Sequence, residues 1–346
     1  MSEASAPILK RLFSPAAPAS GPTSRMLAPA RLGVGEVLFW AAAVAVFFVF
    51  PDNLAFAASV LATAIFVLSL DLALGFAGII TLGHALFFGI GAYVAGQAAL
   101  NGWPEPISGA LLAGLGAAAV AGVTGFFVLR LREMPLIMVT LALNVIAYEA
   151  ANKATFITNG DDGLFGIEPA PIFDVFPWSL YSETAYIYAL VWLFLFVLLA
   201  RRLIASPFGL ALRGLRENSS RMAVIGTPVI GYFVRIYTIS GFMAGVAGAL
   251  SAQTTKFVSL ADISLDLSIA AVVMLVLGGV GRLYGALIGT VVYKVVEHVA
   301  SHWNPYHWMF IIGTLLVLIV MFAQGGFLGL GEKLLHGAMR LLKRPR

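Results

Sequence analysis

The sequence has no cysteine. That excludes disulfide bonds, thiolate metal sites and cysteine nucleophiles, and it leaves the compartment open. Charge is scarce: Asp, Glu, Lys and Arg make up 11% of the 346 residues, against about 25% in a soluble globular domain. The strict polar–apolar alternation of a transmembrane barrel is missing. So is the Gly-x-x-x-x-Gly-Lys-Ser/Thr phosphate loop, so any nucleotide-driven motor sits on another chain. No nucleophile–base constellation stands out, which argues against an enzyme. The net charge of +4 is not a nucleic-acid signal, because its placement matters more than its sum.

What the chain does have is apolar residues, 60% of the total, with a mean hydropathy of +0.94. They come in blocks near the ~20 residues that cross a hydrocarbon core of about 30 Å. The expected fold is all-α: a polytopic membrane protein of about ten transmembrane helices. The spans read as 33–50, 54–74, a Gly-rich 75–100, 107–129, 135–151, 185–200, 232–252, 267–280, 286–300 and 308–323. Around 75–100 and 265–290, Gly-rich sequence leaves room for broken or re-entrant helices, which survive in a membrane only when buried in protein or lining a cavity. Residues 1–32, rich in Ala, Pro and Ser, read as a flexible tail rather than a signal peptide, because the apolar stretch after them is long enough to span. Residues 33–323 form the membrane domain, and 324–346 a basic tail. No soluble domain is expected at either end.

Orientation follows from Lys and Arg. With ten spans, 18 of the 21 basic residues fall on the side of the two tails. Lys153 and Lys256 lie in opposite loops, and Lys294 within a span. The tails, Arg282 and the loop 201–231 are therefore expected in the cytoplasm. The loop 152–184, with Asp161, Asp162, Glu168, Asp174 and Glu183, is expected outside.

Four stretches invite a functional reading. In 69–96, SLDLALGFAGIITLGHALFFGIGAYVAG, glycines permit close helix approach or a backbone turn inside the membrane. Broken helices of this kind form transporter binding sites, so Asp71, Gly78, Thr81, Gly83 and His84 are candidates for a substrate path. Two readings of Asp71 stand, a solvated cap at the interface or a functional charge within a span. His84 reads first as a hydrogen-bonded packing residue. Lys294 and Glu297, three apart, share a helix face and read as an ion pair. His298 and His302 lack a third ligand, so no metal site is expected. The stretch Asn159 to Leu164 reads as a tight turn, too short for an EF-hand calcium loop, in acidic surroundings that suit an external partner.

The fourth stretch is the basic loop 201–231. Pro207-Phe208-Gly209 and Gly226-Thr227-Pro228 frame two expected short helices, 210–215 and 217–225. Leu215, Met222 and Ile225 would present an apolar docking surface, with Arg213, Arg216 and Arg221 setting its register. A basic amphipathic segment lying on anionic lipid is the rival reading; the framing breakers favour a coupling helix seated in a partner.

With these residues in view, the chain resembles the permease subunits of branched-chain amino acid ABC importers of the LivM type. The resemblance covers about residues 35–325. It rests on the Gly-rich stretch 69–96, on Thr158 to Ile167, TNGDDGLFGI, and on 206–250, SPFGLALRGLRENSSRMAVIGTPVIGYFVRIYTISGFMAGVAGAL. Asp71, Ile79 and Leu210 depart from residues common in the family. The resemblance implies an inner-membrane permease with both termini cytoplasmic, paired with a second homologous permease of the LivH type. Two cytoplasmic ATPase subunits would bind the ATP, so this chain would hold no cofactor, and a periplasmic substrate-binding protein would deliver the ligand. Arg213, Arg216, Glu217, Asn218, Ala223 and Gly226 would form the ATPase-coupling loop. Related permeases for urea, amides or other amino acids remain alternatives, as does an ion-coupled secondary transporter using Asp71 or the Lys294–Glu297 pair; ATP dependence of uptake separates the last from the others.

Overall fold

The computed structural model describes residues 34–131, 134–172, 176, 178, 182–303, 309, 310, 313, 314 and 317. Among them are eleven helices and no β-strand. The helices are α1 (Val34–Val49), α2 (Leu54–Leu70), α3 (Ala85–Leu100), α4 (Pro106–Val128), α5 (Met134–Lys153) and the single turn α6 (Thr155–Thr158). After these come α7 (Glu183–Ala205), α8 (Pro207–Val224), α9 (Val229–Thr255), α10 (Leu265–Gly278) and α11 (Leu283–Trp303). Six segments among the described residues are long and apolar enough to cross a membrane: Pro51–Phe76, Pro106–Val128, Met134–Lys153, Glu183–Ala205, Val229–Thr255 and Leu283–Trp303. The apolar helices Glu36–Val49, Ala85–Leu100 and Leu265–Gly278 are shorter. Most of the expected span 308–323, and both tails, fall outside the described residues.

The Gly-rich region 75–100 does not form one helix. α2 widens into a π-helical segment, Asp71–Phe76, and the chain runs non-helically through 77–84 before α3 begins. Gly78 sits at φ +75°, a left-handed conformation that glycine adopts without a Cβ penalty. A second interruption, 279–282, separates α10 from α11, with Gly279 at φ +112° and Gly281 at φ +78°. The 16 residues of α3 rise about 24 Å and the 14 of α10 about 21 Å, both short of the ~30 Å core. At both places the chain passes non-helically from one helix to the next.

α2 is the central helix. Leu54, Ala58, Ile65, Phe66, Val67, Leu68 and Leu70 are buried on all its faces, as expected of a helix that is hydrophobic all round. Small residues bring its neighbours together. Gly241 and Gly245 of α9, four apart, lie against Ala117 and Ala121 of α4, and Gly248 lies on the Phe88 carbonyl of α3. This is close packing through small side chains, where van der Waals contact replaces the missing hydrophobic drive. In the second hairpin, Gly278 of α10 approaches the Gly285 carbonyl of α11. The outward faces of α4, α5, α7 and α11 are apolar and exposed, with Leu115, Phe127, Met138, Leu195 and Val299 among them.

At the end of the bundle that carries 152–172, the chain folds inward. Leu164 and Val258 exchange backbone hydrogen bonds of 2.8 and 3.1 Å, and Ile167 is buried with Tyr93, Val258 and Ile263. The expected tight turn is present: Asn159 is left-handed, Gly160–Asp162 is a 3₁₀ turn, and Asn159 Nδ2 donates to the Gly163 carbonyl at 3.0 Å.

The glycine contacts make a measurable distinction. A Cβ on Gly248 overlaps the Phe88 carbonyl, whereas one on Gly231, also in α9, meets nothing within 4 Å. Gly248→Ala should destabilise the protein by about 1–3 kcal/mol through overpacking. Gly231→Ala should be neutral or stabilising by up to about 1 kcal/mol. Thermal unfolding of the two purified variants in one detergent checks the difference.

Candidate functional site: the basic helix and two chain interruptions

α8 begins under strong local instruction. Ser206 Oγ accepts from the Gly209 N–H at 3.3 Å and Pro207 occupies the first turn, a favourable N-cap and N1 pairing. The helix breaks at Asn218, whose backbone is extended (φ −158°, ψ 93°). Asn218 Oδ1 accepts from the Arg221 N–H at 2.9 Å and so caps a second short helix. That helix stops at Gly226, φ +91°, where the Gly226 and Thr227 N–H groups donate to the Ala223 and Met222 carbonyls at 3.0 and 3.1 Å. The two expected short helices exist as one bent element, framed by the residues named from sequence.

Its faces differ from expectation. Leu215 is only 2% exposed and packs into the core with Leu212, three residues before it on the same face. Met222 folds back over Gly214. Neither is part of an open docking surface. Ile225 is 71% exposed as expected, and Val224, not singled out from sequence, is 88% exposed. Arg216, Glu217, Asn218, Ala223 and Gly226 are exposed and Arg213 is half-buried. Phe208 stacks on Tyr232 at 5.3 Å and fixes the start of α8 to the start of α9.

α8 meets both interruptions through one side chain. Arg216 Nη1 donates to the Gly75 carbonyl in the π-helical segment. Its aliphatic stem passes under Gly78, and its guanidinium lies beside Gly281. Asp71, one turn before Gly75, is fully buried, and its Oδ1 accepts from the Gly281 N–H at 2.7 Å. Its Oδ2 has no hydrogen-bond partner among the described residues. The solvated-cap reading of Asp71 is therefore overturned: the carboxylate is inside the protein and braces the second interruption. A cleft of about 370 Å³ opens beside this junction, lined by Gly78, Ile79, Leu136, Arg216, Glu217 and Asn218 among others.

Thr81, Gly83 and His84 form a separate cluster deeper in the bundle. Thr81 Oγ1 accepts from the Gly83 N–H at 3.2 Å. Gly83 lies against the Thr140 carbonyl, where a side chain would collide, and Thr140 Oγ1 accepts from the Leu82 N–H at 3.3 Å. The His84 tautomer follows from its neighbours. The Ser69 hydroxyl donates to the Phe66 carbonyl at 2.6 Å, and the Ser240 hydroxyl donates to the Ser69 carbonyl at 2.5 Å. Each hydroxyl has a single proton, so the 2.9 Å contact between His84 Nε2 and Ser69 Oγ needs the proton on Nε2. Nδ1 is left as a buried acceptor without a partner. With Phe66 stacked on its ring, His84 is the packing histidine expected from sequence.

The structure thus brings Asp71, Gly78 and Arg216 together, with Glu217 and Asn218 at the rim of the same cleft. Thr81, Gly83 and His84 stand apart from them, and Arg213, Ala223 and Gly226 lie along α8 away from the junction. Sequence reading missed Ser69, Thr140, Asn144, Ser240, Ser268 and Gly281. Asn144 Nδ2 donates to the Ile263 carbonyl at 2.9 Å, and Ser268 Oγ accepts from the Ala85 N–H at 2.9 Å, at the start of α3. The available signals were Thr140 and Asn144, four apart in an apolar span, and the run Gly278-Gly279-Val280-Gly281. Elsewhere, Lys294 and Glu297 pair at 2.9 Å as expected. His298 and His302 contact each other, and no cluster of three or more metal-ligating side chains occurs among the described residues.

Comparison with known proteins agrees on one family. The family model described as "Branched-chain amino acid transport system / permease component" matches residues 52–320. The chain is 30% identical over 304 residues to the high-affinity branched-chain amino acid transport system permease protein LivM of Escherichia coli K12, covering 79% of this chain and 70% of that protein. It is 30% identical over 287 residues to the protein of the same description from Salmonella typhimurium LT2, covering 75% and 66%. It is 24% identical over 310 residues to a probable branched-chain amino acid transport permease protein LivM of Methanocaldococcus jannaschii, covering 75% and 88%. No solved structure matches.

Asp71 offers a test of the junction itself. Asp71→Ala leaves the Gly281 N–H without its acceptor, which should destabilise the protein by about 1–3 kcal/mol. Asp71→Asn keeps an amide oxygen for that bond and should retain the fold. Thermal unfolding of the purified variants measures both.

Proposed function

The chain belongs to the permease-component family of branched-chain amino acid transport systems, and on that premise we propose that it forms one half of the membrane path of an ATP-driven importer for branched-chain, aliphatic amino acids. The observation that carries this reading is α8. It is a basic, capped and bent helix that leaves Glu217, Arg221, Val224 and Ile225 exposed at its far end. Its near side is fixed by Leu212, Leu215 and Arg216 to the two interrupted hairpins. A helix so anchored and so exposed suits a contact with a soluble partner whose movement must reach the membrane domain.

In this reading α8 is the coupling helix, and two ATPase subunits dock on its exposed end. ATP is bound there and not on this chain, which performs no covalent chemistry. A second, homologous permease completes the path, and an external binding protein delivers the amino acid to the end carrying 152–172. The tails and α8 lie on the cytoplasmic side of the inner membrane, as the distribution of Lys and Arg supports. About ten spans cross it, counted from the apolar blocks of the sequence. The candidate path runs past the first interruption, where Thr81, Gly83 and His84 place polar groups within an apolar bundle. Closure of the ATPase pair would move α8 and switch the access of that path, a shift between two states that ATP biases by binding one of them better.

Reconstitution tests the proposal. In vesicles holding this chain with its partner permease, ATPases and binding protein, leucine uptake should require ATP, and this chain alone should transport nothing. Glu217→Lys or a bulky residue at Gly226 should abolish uptake while leaving membrane insertion intact. Proton-driven uptake by the chain alone, or normal uptake by both variants, would contradict the assignment.

A further inference from the structure

We infer that Arg216 is a positioning residue, a latch that makes α8 and the two chain interruptions move as one body. The inference rests on α8 being the ATPase contact and goes beyond it by naming the joint that carries its movement. Three separate contacts converge on this one side chain. The guanidinium donates to the Gly75 carbonyl of the first interrupted hairpin. It also lies beside Gly281 in the second. The stem fits beneath Gly78, which sits at φ +75° and is open enough for that approach because it lacks a Cβ. The hairpins are themselves joined by the Gly281 N–H on Asp71 Oδ1 at 2.7 Å.

Glycine makes the joint possible. A Cβ on Gly75 would overlap Asp71 Oδ1 and crowd the Gly281 N–H, and a Cβ on Gly281 would meet the Arg216 guanidinium and the Gly75 carbonyl. Asp71 sits at the same joint, fully buried, with Oδ1 on the Gly281 N–H and Oδ2 without a hydrogen-bond partner. Withdrawing Arg216 would leave the buried Gly75 carbonyl without its donor and vacate the space beneath Gly78. α8 therefore cannot leave the membrane domain without either carrying both interruptions with it or leaving the buried Gly75 carbonyl unpaired. Lys at this position keeps the charge but loses the planar guanidinium that reaches the Gly75 carbonyl while lying beside Gly281.

The experiment is a pair of distances in the fully assembled transporter in nanodiscs, with and without an ATP analogue. The chain has no native cysteine to remove. Spin labels go on the exposed positions Ile80, in the first interruption, Leu210, on α8, and Leu115, on α4. The latch predicts that nucleotide changes the Leu115–Leu210 distance by about 2 Å or more and leaves Ile80–Leu210 unchanged. In Arg216→Gln the Ile80–Leu210 distance should become nucleotide-dependent, and substrate moved per ATP should fall roughly tenfold. Arg216→Lys should recover part of the loss, and Asp71→Asn added to Arg216→Gln should cost little more. A wild type in which Ile80–Leu210 changes as much as Leu115–Leu210 overturns the latch alone. So does an Arg216→Gln protein with wild-type distances and coupling. If Arg216→Gln fails to assemble, the wild-type distances decide. A wild type in which nucleotide moves neither distance and drives no uptake overturns the function assignment and the latch with it.

Discussion

The two chain interruptions are joined by one hydrogen bond, from the Gly281 N–H to Asp71 Oδ1, and the joint depends on it. Backbone away from water must find partners within the protein. At the first interruption, the Gly78 and Ile79 N–H groups return to the Leu74 and Ala73 carbonyls, and Arg216 takes the Gly75 carbonyl. At the second, Asp71 takes the Gly281 N–H. Each break is thus satisfied partly by the other and partly by α8, and the three elements meet at a single place.

This arrangement demands small residues over a wide region, and the sequence supplies 36 glycines. At Gly75, Gly78 and Gly281 they make the joint itself. At Gly241, Gly245 and Gly248 they let α9 lie against α3 and α4 closely enough to hold the first interruption in register. The buried hydroxyls of Ser69 and Ser240 then tie α2, α9 and the start of α3 around His84.

Much of this was legible in the sequence, for physical reasons. Apolar blocks of spanning length mark the long helices because a membrane demands them. Pro207-Phe208-Gly209 and Gly226-Thr227-Pro228 mark the ends of α8 because caps and breakers act locally, whereas the bend at Asn218 was not read. The Gly-rich stretches 75–100 and 265–290 flagged where helices break, as the left-handed Gly78, Gly279 and Gly281 allow, but Gly281 itself was not singled out. The burial of Asp71 and Leu215 was not legible. Whether a carboxylate near the end of a span faces water or another loop depends on a partner 210 positions away in the chain. Whether Leu215 or Val224 faces outward depends on the bend at Asn218, which sets the two halves of α8 on different faces. The roles of Thr140, Asn144 and Ser268 were hidden for the same reason, because each answers a backbone group far away in sequence.

Within the permease family of branched-chain amino acid transport systems, the joint gives a physical meaning to a basic loop in an apolar chain. α8 is exposed at its C-terminal half and tied through Arg216 to the two places where the helices break. The central claim is that α8 and both interruptions form one mechanical unit. Hydrogen–deuterium exchange of the assembled transporter, with and without nucleotide, tests it most directly at the Gly281 amide and along 77–84. The account predicts that nucleotide changes exchange there together with exchange in α8. A change confined to α8, with Gly281 and 77–84 as protected as before, would contradict it.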